Sequence, residues 1–161
     1  MLIFLISHIS DKEKDQIIEI IKEGYSNIAY FTHQNYILRI LLLTPEGMNL
    51  VDFMPENEKE DNEITKLVRD ADPDQLSAFI SSIFSQSYNL SLQTTKLKVE
   101  RHDLVTQEGV TIALYGVLAT NPDNNVYLGL WIDPRKGDEI IFRKGAIKLV
   151  DNLKKIVNTF S

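Results

Sequence analysis

The stretch VTIALYGVLATNPDNNVYLGLWID, residues 110–133, decides how this chain is to be read. Two apolar runs, Val110–Ala119 and Val126–Asp133, flank Asn121-Pro122-Asp123-Asn124, a strong turn signal. Both runs are apolar at odd and even positions alike. Strands of that kind are covered on both faces. Each also carries a glycine near its middle, Gly116 and Gly129. If Ala119 pairs with Val126, Gly116 faces Gly129, Leu114 faces Trp131 and Leu118 faces Tyr127. Two opposed glycines leave a gap in the side-chain layer, flanked by aromatics. Such a gap can take a ligand, a peptide anchor or a helix of the same chain. A register shifted by one residue instead puts Tyr115, Tyr127 and Trp131 on one face.

Working outward, Leu97–Val105 precedes a Gln107-Glu108-Gly109 turn and reads as the strand before this hairpin. Upstream, Asn35–Leu43 is apolar on both faces but for Arg39. Thr44-Pro45-Glu46-Gly47 then forms a turn, and Met48–Met54 returns as the next strand. Asn27–Thr32 reads as a further strand, as does the apolar run Leu2–Ile9. Ser10 and Glu13 form a capping box that opens a helix over 11–23, and Gly24 is its natural stop. A short helix follows near 63–70. Asp72-Pro73-Asp74-Gln75 opens another, with Leu76, Phe79, Ile80, Ile83 and Phe84 at helical spacing as far as about Ser87. Residues 139–143, EIIFR, read as a strand, because Gly145 would weaken a continuous helix. Ala146, Leu149, Val150, Leu153, Ile156, Val157 and Phe160 mark the last helix.

The resulting order is β-α-βββ-αα-ββββ-α. Strands group into hairpins rather than alternating with helices. The expected class is α+β, a mainly antiparallel sheet with helices packed on it. The 161 residues form one domain, 1–161, with an acidic surface loop at 55–63 between the two halves.

Composition narrows the chemistry. Cysteine is absent, and 17 Lys+Arg stand against 23 Asp+Glu. There is no thiol nucleophile, disulfide framework or Cys-ligated metal site. Residues 1–80 hold 7 basic and 15 acidic side chains, net −8, and residues 81–161 hold 10 and 8, net +2. An acidic chain repels a phosphate backbone, which argues against nucleic acid as a partner. The longest aliphatic run, Ile40–Leu43, falls far short of a membrane span. The N-terminal decapeptide lacks a basic n-region and a cleavage site, so a cytoplasmic location is expected.

Motif chemistry is sparse. His8, His33 and His102 have no metal-ligand spacing. The immediate neighbours of His102 point to the opposite face of its strand. Asp70-Ala71-Asp72-Pro73-Asp74 imitates a calcium loop, but Gln75 and Ser81 occupy its two diagnostic positions. No phosphate-binding, dinucleotide or nucleophile-elbow motif occurs. No catalytic residue, metal ligand or cofactor is therefore assigned. Arg39 stands out as a guanidinium among Ile37, Leu41 and Leu43, where it requires a carboxylate partner, a strand end or a ligand.

The order α-βββ-αα-ββ…-α, the acidity and the small size resemble the class I chaperones of type III secretion. That likeness implies a cytoplasmic dimer holding a peptide segment on apolar patches. The second half also looks like PsbP/DcrB-like domains. The expected function is a non-enzymatic protein-binding domain (a chaperone, adaptor or immunity-type partner). It would bind another protein or peptide through an apolar sheet surface, with a homodimer as one assembly such a surface allows. The candidate binding residues are Arg39, Tyr115, Gly116, Tyr127, Gly129 and Trp131. The alternative is a small-molecule binder or enzyme with its pocket at the Gly116/Gly129 hairpin.

Overall fold

The computed structural model describes residues 10–32, 37–55, 63–133 and 139–160. Four helices and five strands are present among them: α1 (Asp11–Thr32), β1 (Ile37–Leu43), β2 (Asn49–Phe53), α2 (Glu63–Asp70), α3 (Pro73–Thr95), β3 (Arg101–Val105), β4 (Thr111–Val117), β5 (Val126–Ile132) and α4 (Glu139–Val157). The strands form one antiparallel sheet in the order β2-β1-β5-β4-β3. The class is α+β, as the hairpin grouping implied.

The two halves meet at β1 and β5, where Ile40 pairs with Leu130 and Leu42 with Leu128. Every residue of both strands is buried. Their two-sided apolar sequence follows directly, because helices cover both faces. Ile17, Ile21 and Ile28 of α1, with Phe142, Ala146, Leu149 and Leu153 of α4, pack on Ile40, Leu42, Leu128 and Leu130. On the opposite face, Ile80 and Phe84 of α3, with Ile64 and Val68 of α2, cover Leu41, Leu43, Leu114, Tyr127 and Trp131.

Three assignments are corrected, each through packing. Gly24 does not stop α1. The helix continues to Thr32, so residues 27–32 are helical rather than a strand. A Cβ on Gly24 would lie 2.8 Å from Leu149 Cδ1. Residues 139–143 open α4 rather than forming a strand, and Gly145 lies inside that helix. A Cβ there would meet Ile28 Cγ1 at 2.3 Å. Both glycines thus let α1 and α4 approach closely, and tertiary contact outweighs their cost of about 1 kcal/mol in helix propensity. The third correction concerns α3, which runs past Ser87 to Thr95 and ends at Lys96 in the left-handed region, with φ 64°. The observed order is therefore α-ββ-αα-βββ-α over the described residues. It departs from the triple-strand order on which the likeness to secretion chaperones rested. The expected strand at Leu2–Ile9 and the acidic stretch 56–62 lie outside the described residues.

Local signals fixed the turns. Ser10 Oγ accepts from Glu13 N at 3.2 Å at the start of α1. Asp72 Oδ1 accepts from Asp74 N at 2.9 Å, so the calcium-like sequence is a helix cap. Gly47 takes φ 97° in the β1–β2 turn, a conformation that favours glycine.

Candidate protein-interaction surface

The hairpin β4–β5 does not bring its glycines opposite one another. Val117 pairs with Val126, Gly116 with Tyr127 and Leu114 with Gly129. The ladder is displaced by two residues from the expected Ala119–Val126 pairing. The connection explains this. Asn121 caps a single 3-10 turn at Pro122–Asn124, and Asn125 Oδ1 accepts from Ala119 N at 2.7 Å. Leu118 and Ala119 are drawn into the loop.

Gly116 and Gly129 still share the face toward α3, and α3 fills the gap. A Cβ on Gly116 would stand 2.7 Å from Phe84 Cζ, and one on Gly129 would stand 2.6 Å from Ile80 Cδ1. The Phe84 ring tilts against Tyr127 with centroids 4.7 Å apart, and Tyr127 Oη lies 3.1 Å from Ser85 Oγ. The space that the sequence reading offered to a ligand holds core side chains.

The remaining candidates separate. Tyr115 lies on the opposite face from Tyr127 and Trp131, with Arg101 Cζ 5.3 Å from its ring centroid. Burial raises its hydroxyl above the usual tyrosine value, and Arg101 offsets part of that rise. Among the described residues that hydroxyl has no hydrogen-bond partner. Arg39 is 1% exposed and fully engaged. Its Nε and Nη2 donate to Asp52 Oδ1 and Oδ2 at 2.9 and 2.7 Å. Its Nη1 donates to the carbonyls of Val68 and Ala71 at 2.9 and 2.7 Å, at the C-terminal end of α2. A cation there satisfies terminal carbonyls and complements the helix dipole. Arg39 joins β1, β2 and α2.

The exposed surface is carried by other residues. In the 23 residues of α3 the only charged side chain is Asp74. Phe79 and Leu90 on its outer side are 43% and 64% exposed, and Leu97 just beyond it is 68% exposed. The C-terminal part of α3 lies beside the edge strand β3, where Ser87 Oγ sits 2.6 Å from His102 Nδ1. As the outermost strand, β3 has one side whose backbone groups face no other strand among the described residues. An uncharged helix face therefore adjoins an open edge. The sequence carried a usable sign of this: a long helix that must touch water somewhere holds one charge.

This architecture has close structural counterparts. MglB from Myxococcus xanthus superposes with a TM-score of 0.68 at 12% identity, covering 91% of each chain. A Roadblock/LC7 domain from Streptomyces avermitilis superposes at 0.59 and 11% identity, over 83% of this chain and 94% of that one. The chain has the Roadblock/LC7 fold. MglB solved with a tetrameric arrangement also matches, with a TM-score of 0.66 at 11% identity over 92% of each chain. No protein-family model and no curated protein matches the sequence. Among the described residues no helix is long and apolar enough to cross a membrane. No group of three or more His, Asp or Glu among them could hold a metal ion.

Proposed function

We propose that this chain is a non-enzymatic adaptor domain with the Roadblock/LC7 fold, which pairs with a second copy of itself through α3 and β3. The observation that carries the reading is the outer side of α3. A helix with one charge in 23 residues leaves Phe79 and Leu90 exposed, and its C-terminal part lies beside β3, whose outer side faces no other strand among the described residues. Apolar anchors supply contact area, and an open edge supplies backbone hydrogen bonds to a second strand. Leu97 and Val105, 68% and 75% exposed, extend the apolar surface along that edge. The reading is supported by MglB, which adopts a tetrameric arrangement on the same fold. The net charge of −6 directs the domain toward proteins rather than nucleic acid. A thiol-free chain suits work in the cytoplasm.

Light scattering coupled to size-exclusion chromatography tests this. The expected mass is a multiple of the 18.4 kDa chain. A single-chain mass at every concentration up to the high micromolar range would overturn the pairing.

A further inference from the structure

Among the described residues, a groove stays open on the α2–α3 side of the sheet where neither helix covers the β3–β4 end. Its floor is Trp131, Ile112 and Val110, and its walls are Ile64, Val68 and Leu67. The accessible space is about 260 Å³. That is below the range of pockets that enclose cofactors and drug-sized ligands, and it suits a single bulky side chain. Leu67, 67% exposed, stands at the rim.

Among the described residues that line the groove or adjoin its lining in sequence, acidic side chains outnumber basic ones. Glu108 lines it. Glu63 precedes Ile64, Asp70 and Asp72 flank Ala71, and Asp74 opens α3 two residues before Leu76. All five carboxylates are exposed. The nearby basic side chains are Lys66 and Arg69 on α2. Arg39 adds little positive charge to the rim, because its buried guanidinium is paired with Asp52 and with carbonyls at the end of α2. An apolar pocket lined by Glu108, with an excess of carboxylates among its neighbours, selects a partner segment with the opposite pattern.

We infer that this groove is a docking site for a basic segment of a partner protein, one that inserts a single aromatic or large aliphatic side chain between α2 and the β3–β4 turn. The inference rests on the adaptor reading and names the kind of partner it takes. Lys and Arg on either side of the anchor would face Glu108 and the carboxylates around the start of α3. The anchor would cover Trp131.

Trp131 is the chain's single tryptophan, so its fluorescence reports the groove directly. The probe is the acetylated, amidated hexapeptide Lys-Arg-Lys-Phe-Lys-Arg, titrated into the full chain. A saturable change in emission that weakens as salt is raised is expected. Replacing the peptide's Phe by Ala weakens binding roughly tenfold, as does Leu67→Lys in the protein. Leu67 is exposed, so that variant keeps the fold, and circular dichroism verifies it. Glu108→Lys weakens the basic peptide without weakening N-acetyl-phenylalaninamide. The inference is overturned by any of four results. The acidic peptide Glu-Asp-Glu-Phe-Glu-Asp binds equally well. N-acetyl-phenylalaninamide alone binds as tightly as the hexapeptide. Leu67→Lys leaves affinity unchanged. No saturable change appears up to about 1 mM, the range of the weakest specific contacts. Light scattering on the same samples separates the two proposals: an assembled protein that ignores the peptide loses only the groove, whereas a monomer that binds it loses only the pairing.

Discussion

The ring of Phe84 occupies the space that a side chain at residue 116 would need, with Phe84 Cζ 2.7 Å from the Cβ position of Gly116. Phe84 is wholly buried and locked against Tyr127. Gly116→Ala therefore forces a rigid ring to move, and overpacking of this kind costs about 2 kcal/mol. Gly129→Ala meets chiefly the terminal methyl of Ile80, which has rotameric freedom, with Trp131 Cζ3 farther off at 3.2 Å, and costs less, about 1 kcal/mol. Urea unfolding of both variants checks the order. Equal stability for Gly116→Ala and the parent would show that the Phe84 ring is not held there.

Arg39 and Asp52 make the second test. With Asp52→Asn the buried guanidinium keeps two carbonyl partners and loses its countercharge, at a cost of about 3 kcal/mol. Arg39→Lys keeps the charge but not the two-pronged geometry, and costs about 2 kcal/mol. Replacing both residues with apolar ones of similar volume costs less than the sum of the two single changes. A thermodynamic cycle built on denaturation midpoints reads this coupling.

Tyr115 carries a buried hydroxyl without a partner among the described residues. Tyr115→Phe removes a group that folding strips of water and does not repay, so stability at neutral pH stays level or rises by about 1 kcal/mol. The pH dependence has a defined sign. Burial raises the hydroxyl's folded-state pKa above its unfolded value of about 10. The neutral form is favoured on folding, and its contribution is complete below pH 10 and lost as pH climbs through the folded value. Tyr25, also raised by burial, behaves alike. The parent therefore loses more stability than Tyr115→Phe between about pH 10 and 12. Thermal unfolding across that range measures the difference.

Phe79→Asp and Leu90→Asp each place a charge on the outer side of α3. If this side joins two copies, each change weakens association roughly tenfold or more, as loss of a central apolar anchor does. Both side chains are exposed in the single chain, so monomer stability shifts by less than about 1 kcal/mol. Sedimentation velocity over a dilution series reports the association, and far-ultraviolet circular dichroism reports the fold.

Sequence alone determined the features that depend on neighbours in the chain. Asp72 and Pro73 start α3, Gly47 and Gly109 close the two tight turns, and two-sided apolar runs mark β1 and β5 as interior strands. Arg39 was legible as an anomaly because an unpaired buried guanidinium is too costly to exist. Its partners were not, since Asp52 lies across a strand pair and Val68 and Ala71 come from α2. Tertiary structure decided whatever depends on how closely two elements approach. Gly24 and Gly145 looked like helix breakers, yet each is the point where one helix admits a side chain of the other. Gly116 and Gly129 looked like the walls of a pocket, yet α3 fills the space between them. The surface that carries the functional reading arose the same way. Leu90 is an ordinary apolar residue until α3 runs on to Thr95 and leaves it exposed just beyond the Ser87–His102 contact with β3. A glycine records only that space is needed. What fills that space is set by distant packing, where burial of apolar surface outweighs local propensity.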